Sequence, residues 1–309
     1  MKMLFGWMLC VFLLCVVAAA CGAQENGVVV LAQGKPLAFD AMLDALSRAD
    51  VVFVGENHDH KQGHALELAI LQGLHARNPS MAFAMEMFER DVQIVLDEYL
   101  HGYITESSFL QAARPWPNYK TDYAPLVEFC KAQQIPVLAS NAPRRYVNIV
   151  SRKGQDALLE LPRTSRAYLP ALPYSMAIPP EYDRELTQIF SGGHDTQAAV
   201  RQSAPPAMPS PEHLKQAQGL WDDTMADSLA RFQRKTHRKI LHINGAMHSD
   251  SGFGIVDRLR HADPRLKILL VTIRPSDRYP EPPADLPATA ADYILVTPAP
   301  PAEKNAPSP

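Results

Sequence analysis

Short apolar runs alternate with longer helical stretches along most of this chain, and this alternation constrains its fold more than any other feature. The apolar runs predict strands at residues 51–54, 81–85, 135–139, 240–243, 268–273 and 293–296. The intervening stretches predict helices near residues 61–77, 89–100, 106–113, 122–133, 143–152, 213–235 and 254–261. Strands separated by helices favour parallel pairing, with helices on both faces of the sheet. We therefore expect an α/β domain with a mostly parallel sheet flanked by helices.

A Pro-rich stretch at about residues 161–211 interrupts this alternation. Its nine prolines and its adjacent pair Gly192-Gly193 prevent long regular elements over most of its length. A short helix at residues 180–190 is the expected exception. We predict a partly helical insertion that projects from the sheet and forms a lid, a pocket wall or a dimer contact. The domain itself is assigned to residues 38–297, and the Pro- and Ala-rich tail at 298–309 is predicted to be disordered.

The N-terminal segment has the pattern of a secretory signal. Residues 3–20 carry no charge and end in small side chains directly before Cys21, as expected for a signal peptide cleaved at a lipidated cysteine. A plain signal peptide or a transmembrane anchor is the alternative, since about 18 apolar residues can span a bilayer. No Lys or Arg cluster follows Cys21, which favours the lipoprotein. The prediction is a signal at residues 1–20 and a lipidated tether at 21–37.

The predicted location is the cell envelope, with the lipid as the membrane attachment. Gly22 follows the cysteine, as in lipoproteins that are sent to the outer membrane of Gram-negative bacteria. Cys130 is the one cysteine beyond this region, so we expect no intrachain disulfide. The formal net charge of −3 argues against nucleic acid as a partner.

Polar residues at three predicted strand ends form the most informative group. Two strands run into Gly-x-x-His motifs, at residues 55–58 and 245–248, and a third ends at Glu86. The carboxyl ends of strands are where α/β sheets build their sites, so these groups should face one crevice, which requires their strands to be neighbours. Imidazoles and carboxylates suit a divalent metal ion or general acid/base catalysis. The candidate catalytic and metal-ligating residues are Glu56, His58, Glu86 and His248.

Two alternatives accompany this interpretation. The strand-end groups could simply hydrogen-bond one another to satisfy buried polar atoms, and Glu86 could form an ion pair with Arg90. A fourth strand end carries Arg144 and Arg145, whose guanidinium groups suit a carboxylate or phosphate ligand. They suit the solvated start of a helix equally well.

Motifs at these positions match one known family. The matching residues are 55–59 with His64, 85–88, Gln93, Leu96, Trp116, Tyr123, Pro125, Leu126, 141–144, 220–226, 245–248 and 252–255. With them the chain resembles the ChaN family of haem-binding lipoproteins, in a superfamily that includes the Tiki proteases and resembles the erythromycin esterases. The resemblance runs from about residue 38 to 275. In the insertion it is confined to the surroundings of Tyr182, Phe190 and His194.

The resemblance implies a dimeric surface lipoprotein that holds ferric haem for iron acquisition, and an outer-membrane haem receptor is a candidate partner. It implies a tyrosine as iron ligand and basic side chains near the haem propionates, and phenolate is a hard donor that suits ferric haem. The chain has no Cys-x-x-Cys-His motif, so the haem would be non-covalent. The candidate cofactor-binding residues are Tyr123, Tyr182, His194 and Arg144.

Two functional hypotheses therefore stand. The first is a haem-binding protein without turnover, whose ligand is Tyr123 or Tyr182. Tyr123 also lies on an apolar helix face, where a role in the core is the alternative. The second is a metal-dependent hydrolase that uses the two Gly-x-x-His motifs and Glu86.

Overall fold

The computed structural model describes residues 27–191 and 209–300, and within these residues eight strands form one mixed sheet. The strands are β1 (Val29–Ala32), β2 (Lys35–Leu37), β3 (Val51–Glu56), β4 (Ala82–Glu89), β5 (Val137–Asn141), β6 (Ile240–Gly245), β7 (Ile268–Ser276) and β8 (Tyr293–Pro298). Their order is β2-β1-β8-β7-β3-β6-β4-β5. The six strands from β8 to β5 run parallel, whereas β1 is antiparallel to both β2 and β8. The predicted α/β fold with a mostly parallel sheet is confirmed.

Most of the helices occur where the hydrophobic periodicity indicates. The helices are α1 (Phe39–Leu46), α2 (Lys61–Arg77), α3 (Gln93–Leu100), α4 (Glu106–Ala113), α5 (Ala124–Gln133), α6 (Arg144–Lys153), α7 (Arg163–Arg166), α8 (Pro180–Ser191), α9 (Pro211–Thr236) and α10 (Ile255–Ala262). Of these, α1 and α7 are additional to the predicted helices. A π-helical turn, Tyr119–Tyr123, leads into α5. Cys21, His194 and the signal segment lie outside the described residues.

The sheet is covered on both faces. Helices α1 to α5 pack on one face with a large apolar core, and α9 and α10 pack on the other through Met225, Leu229, Ile255 and Leu259. All six residues of β3 are buried, as expected for a central parallel strand. Among the residues that the structure describes, no helix is both long and apolar enough to cross a membrane.

The first two strands and α1 differ from the sequence-based expectation. Residues 29–37 were assigned to the tether but form β1, a turn at Gln33 and Gly34, and β2. Both turn residues have positive φ, which a tight hairpin turn requires. In the insertion, α8 matches the expected short helix, and α7 is a further single turn.

The outer edge of β5 is covered by a side chain. The amide of Gln93, at the start of α3, donates from Nε2 to the Val137 carbonyl at 2.9 Å and accepts at Oε1 from the Ala139 amide at 2.7 Å. It thus replaces the backbone of a neighbouring strand. At the opposite edge of the sheet, β2 is only three residues long.

Candidate functional site

The three strands that carry the predicted site residues are neighbours in the order β3-β6-β4. Glu56 ends β3, Gly245 ends β6, and Glu86 lies near the carboxyl end of β4. The Gly245 amide donates to Glu86 Oε2 at 2.7 Å. A Cβ on Gly245 would lie 2.8 Å from His58 Nε2, so glycine is needed for the imidazole to lie against the end of β6. The prediction that these strands adjoin is confirmed, and the roles of their side chains stay predictions.

Glu56 is the centre of a first group of polar side chains. Its Oε1 lies 2.7 Å from His58 Nδ1 and accepts a hydrogen bond from the Tyr123 hydroxyl at 2.7 Å. Its Oε2 lies 3.0 Å from His64 Nδ1. Burial would raise the pKa of Glu56, but the hydrogen bond with His58 and the close approach of His64 outweigh it and hold the pKa below its usual range. Glu56 is therefore a carboxylate at neutral pH.

His64 and Glu67, both on α2, complete this first group. His64 Nδ1 lies 3.2 Å from Glu67 Oε2. Burial opposes the charge of His64, yet its close contacts with Glu56 and Glu67 raise its pKa to about 10. Burial, followed by the charge of Glu56, raises the pKa of Glu67 well above its usual value. Glu67 escaped the sequence analysis, although its position three residues after His64 places the two on one helix face.

A second group surrounds His248 at the end of β6. His248 Nδ1 lies 2.6 Å from Asp222 Oδ1 and 2.9 Å from Gln218 Nε2. The Tyr182 hydroxyl donates to Asp222 Oδ2 at 2.9 Å. Burial opposes the charge of His248, but the charge of Glu86 and the bond to Asp222 raise its pKa to about 9. Asp222 and Gln218 were not predicted as site residues, and their spacing of four along α9 places them on one face of that helix.

His58 lies between the two groups. One nitrogen contacts Glu56, and the other faces Gly245 and Glu86. Burial lowers the pKa of His58, but the hydrogen bond to Glu56 and the charge of Glu86 reverse this, and the net pKa is raised. Its side chain is 43% exposed, whereas His248 and Glu86 are buried. His58 therefore connects a buried charge network to the surface.

The four predicted metal-ligating residues are thus brought together. His248 Nε2 lies 3.6 Å from Glu86 Oε1, and Glu56 reaches the same region through His58. Arg90, the predicted partner of Glu86, instead pairs with Asp227 at 2.7 Å. Such a set of imidazoles and carboxylates can bind a cation or move protons.

The two tyrosines predicted to bind haem are both buried. Tyr123 is 0% exposed and Tyr182 is 1% exposed, and each hydroxyl donates to a carboxylate. Burial, followed by the charge of that neighbouring carboxylate, raises the pKa of both phenols, which disfavours the phenolate form. Arg144 is exposed at the start of α6. Iron ligation by Tyr123 or Tyr182 would therefore require the surrounding core to open.

An exposed tyrosine in the Pro-rich insertion was not predicted. Tyr168 follows α7 and is 37% exposed. The guanidinium carbon of Arg145 lies 5.9 Å from its ring centre and 4.4 Å from that of Tyr146. The exposed side chain of Leu159 lies in the turn that precedes α7. This segment thus presents an aromatic hydroxyl and an apolar side chain, and the adjoining helix α6 presents Arg145, which also forms an ion pair with Asp91 at 2.5 Å.

Known structures resemble this fold. The structure of ChaN of Campylobacter jejuni with cofacially bound haem has a TM-score of 0.66 and 20% sequence identity, and the match covers 88% of this chain and 98% of that chain. An erythromycin esterase mutant in its open conformation has a TM-score of 0.44 and 12% identity, over 84% of this chain and 78% of that chain. At these identities the likeness to ChaN shows the fold alone.

The sequence comparisons are more specific. The protein RETICULATA-RELATED 5, chloroplastic, of Arabidopsis thaliana is 24% identical over 141 residues, or 42% of this chain. This chain spans about a fifth, 19%, of that protein. A family model described as haem-binding uptake, Tiki superfamily, ChaN matches residues 42–259. Because that match covers well over half of the sequence, the chain belongs to the ChaN haem-binding uptake family of the Tiki superfamily.

Proposed function

We propose that this protein is a lipoprotein of the cell envelope that binds ferric haem non-covalently and serves haem or iron acquisition. The observation that carries the proposal is family membership across residues 42–259. A related protein of the same fold, ChaN of Campylobacter jejuni, binds haem cofacially. Cofacial haems suggest a site shared by two protomers, so we propose a homodimer with haem at its interface and an outer-membrane haem receptor as its partner.

The iron ligand in this proposal is a tyrosinate, and our candidate is Tyr168, which combines exposure with a neighbouring cation; Tyr103 is more exposed, at 78%. A haem is a large planar group, so its ligand must be reachable from the surface. Tyr168 is exposed and Arg145 lies beside it, whereas Tyr123 and Tyr182 are buried in hydrogen bonds. A guanidinium next to the ligand can pair with a haem propionate. The bound haem would supply the iron centre, and the chain would supply the oxygen ligand and the cations.

Hemin binding to the full-length chain tests this function. We expect a Soret band and a charge-transfer band of the phenolate-to-iron type. Tyr168→Phe should remove the charge-transfer band and weaken hemin binding by about tenfold or more, the equivalent of about 1.4 kcal/mol. Tyr123→Phe and Tyr182→Phe are matched controls that should keep the band.

Three outcomes would change the proposal. Retention of the band in Tyr168→Phe would exclude Tyr168, and loss of the band in either control would restore that buried tyrosine as the ligand. Absence of hemin affinity in the parent protein would overturn the function itself. Sedimentation with and without hemin should show a dimer when haem is bound, and a monomer in both states would contradict the shared site.

The lipid anchor has its own test. The uncharged segment at 3–20 and the small residues before Cys21 support lipidation. Acyl chains contribute about 0.8 kcal/mol per buried CH₂, so several chains hold a protein firmly on a membrane. We expect the parent to partition into detergent and Cys21→Ala to enter the aqueous phase or to remain unprocessed. Aqueous partitioning of both proteins would show that the lipid is absent.

A metal-dependent hydrolase is the second candidate. The observation in its favour is the convergence of His58, Glu86 and His248 from three adjacent strands. The Asp222–His248 pair adds an oriented imidazole of the kind that serves in acid/base catalysis. This hypothesis requires that metal uptake depend on His248 and Glu86.

A further inference from the structure

A separate cluster of three side chains joins the end of β3 to α2. It consists of Glu56, His64 and Glu67, which are 3%, 5% and 0% exposed. One donor atom from each lies within 4.8 Å of those from the other two. His64 Nδ1 lies 3.0 Å from Glu56 Oε2 and 3.2 Å from Glu67 Oε2. Two buried carboxylates therefore face a single imidazole nitrogen.

The hydrogen bonds of this cluster are incomplete. His64 Nδ1 is in hydrogen-bond geometry with Glu67 Oε2 only, and Glu56 Oε2, although 3.0 Å from the same nitrogen, has no hydrogen-bond partner among the described residues. Glu67 Oε1 is likewise buried without a hydrogen-bond partner there. Buried carboxylate oxygens without partners are costly. A cation in contact with all three side chains would satisfy Glu56 Oε2, which already points at the cluster.

The spacing of the donor atoms fits a metal ion. With bonds of about 2.0–2.2 Å to one ion, two nitrogen or oxygen ligands lie about 3.0–3.5 Å apart in tetrahedral or octahedral coordination. Two of the three spacings, those from His64 Nδ1 at 3.0 Å and 3.2 Å, lie in this range. The same spacing also permits hydrogen bonds, so the unpartnered Glu56 Oε2 is the observation that favours the ion.

The surroundings of the cluster orient its ligands. His64 Nε2 lies 3.3 Å from the His58 carbonyl oxygen, which also accepts a hydrogen bond from Asn118 Nδ2 at 2.9 Å. A proton on Nε2 leaves the Nδ1 lone pair free for a metal, and metal-binding histidines usually donate their other N–H in this way. The hydroxyl of Tyr123 holds Glu56 Oε1, which fixes Oε2 in the direction of His64.

We propose that Glu56 Oε2, His64 Nδ1 and Glu67 Oε2 bind a structural divalent transition-metal ion such as Zn²⁺ or Mn²⁺. Imidazole and carboxylate donors suit these ions, whereas Ca²⁺ requires six to eight oxygen ligands and Mg²⁺ a strict octahedron. The three side chains leave one position of a four-coordinate ion, and burial of the cluster keeps a substrate away from that position. The ion would fasten the first half of α2 to the end of β3. It is separate from haem binding, and it shares only Glu56, through the other carboxylate oxygen, with the contact to His58.

The purified full-length chain, stripped with a chelator, tests the site by titration with Zn²⁺ and with Mn²⁺. We expect about one equivalent of one of these ions to bind and to raise Tm, since a ligand that binds only the folded state stabilises it. Mg²⁺ and Ca²⁺ at the same concentration should leave Tm unchanged. Failure of both Zn²⁺ and Mn²⁺ to bind would overturn the proposal without affecting the haem prediction.

Two matched substitutions locate the ion. Glu67→Gln removes one ligand and should weaken binding by about 10- to 100-fold or more, the loss seen when a metal site is perturbed even in its outer contacts. Glu86→Gln makes the same change in the buried carboxylate of the other group and should leave the affinity unchanged. The reverse pattern would assign the ion to the His58, Glu86 and His248 group and would support the hydrolase hypothesis instead.

A third substitution covers the case in which Glu67→Gln does not fold. Glu67→Asp keeps the charge but withdraws the carboxylate by one CH₂, so it should weaken Zn²⁺ or Mn²⁺ binding while circular dichroism remains that of the parent. X-ray absorption of the Zn²⁺-loaded parent should show one imidazole among nitrogen and oxygen ligands. A first shell with two imidazoles would contradict the proposed ligand set.

Discussion

Replacing Asp222 with alanine is expected to lower the free energy of unfolding by about 3–5 kcal/mol at pH 7, the usual cost of breaking a buried ion pair from one side. Asp222 is 0% exposed, and its two oxygens lie 2.6 Å from His248 Nδ1 and 2.9 Å from the Tyr182 hydroxyl. Arg258 is a further cation, 3.7 Å away. Without the carboxylate, a buried imidazolium, a guanidinium and a phenol lose a partner. Urea denaturation would measure the loss.

The neighbouring Asp223 provides a matched control. Its carboxylate is 24% exposed and lies 3.5 Å from Arg258 Nε, and it does not contact His248 through any hydrogen bond that the described residues form. Asp223→Ala should therefore cost at most about 1 kcal/mol, as for a partly exposed ion pair. Equal losses of unfolding free energy at the two positions would show that the contacts of Asp222 with His248 and Tyr182 contribute nothing beyond an ordinary ion pair.

The Asp222–His248 pair predicts how the free energy of unfolding depends on pH. The pKa of His248 is raised from 6.5 to about 9, so the folded state binds more protons than the unfolded state between these values. The stabilisation is complete below about pH 6.5 and is lost as pH rises towards 9. In the metal-free protein His64, with a raised pKa of about 10, acts in the same direction. Asp222→Ala should flatten the decrease without abolishing it, and an unchanged slope would contradict the assignment to His248.

Gly254→Ala should cost about 3 kcal/mol or more, because a positive φ combined with ψ −116° is a conformation that residues with a Cβ rarely adopt, at a cost of about 1–3 kcal/mol. Gly254 has φ +56°, and an added Cβ would lie 2.4 Å from the His248 carbonyl oxygen and 3.1 Å from Asp222 Oδ1. The first of these atoms is backbone and has little freedom to move. The substitution should also displace His248 from Asp222 and reduce the pH dependence described above.

Gly102→Ala separates backbone strain from steric overlap. Gly102 has φ +75°, and no described heavy atom lies within 4 Å of the position of its Cβ. Only the strain of about 1–2 kcal/mol should appear there. Thermal or urea unfolding of both variants gives the comparison, and a loss at Gly102 as large as that at Gly254 would show that the contact with His248 is unimportant.

The sequence predicted the parallel core well because burial on both faces leaves a strong signal. The strand β3 is preceded by polar residues and is apolar for four residues before Gly55, and α5 repeats its buried Leu126, Val127 and Cys130 with helical spacing. The hairpin β1–β2 was missed because it follows closely on the signal segment, and its Gln33-Gly34 turn is short. Its hydrophobic residues were therefore assigned to a tether.

The site was predicted in outline only. The Gly-x-x-His motifs at two strand ends correctly indicated where the polar site residues lie. Parallel strands of one sheet have their carboxyl ends at the same edge, so the two motifs had to lie close together. Sequence alone could not reveal that helices contribute Glu67 to the first group and Asp222 to the second. Charged residues in helices are usually exposed to solvent, so nothing in the sequence marked these two as buried. It also could not decide the exposure of each tyrosine. Tyr123 is in the core, as the alternative interpretation held, and its hydroxyl donates a hydrogen bond to Glu56.

The two ends of the sheet restrict how copies of this protein can associate. Unpaired strand edges invite another chain to add a strand, and proteins block this with short strands, Lys and Pro. The three-residue β2 contains both Lys35 and Pro36, while the amide of Gln93 already occupies the outward groups of Val137 and Ala139. Association by a continuous intermolecular sheet is therefore disfavoured at both edges. Two protomers of this protein would therefore have to meet through helices and loops rather than through a shared backbone ladder.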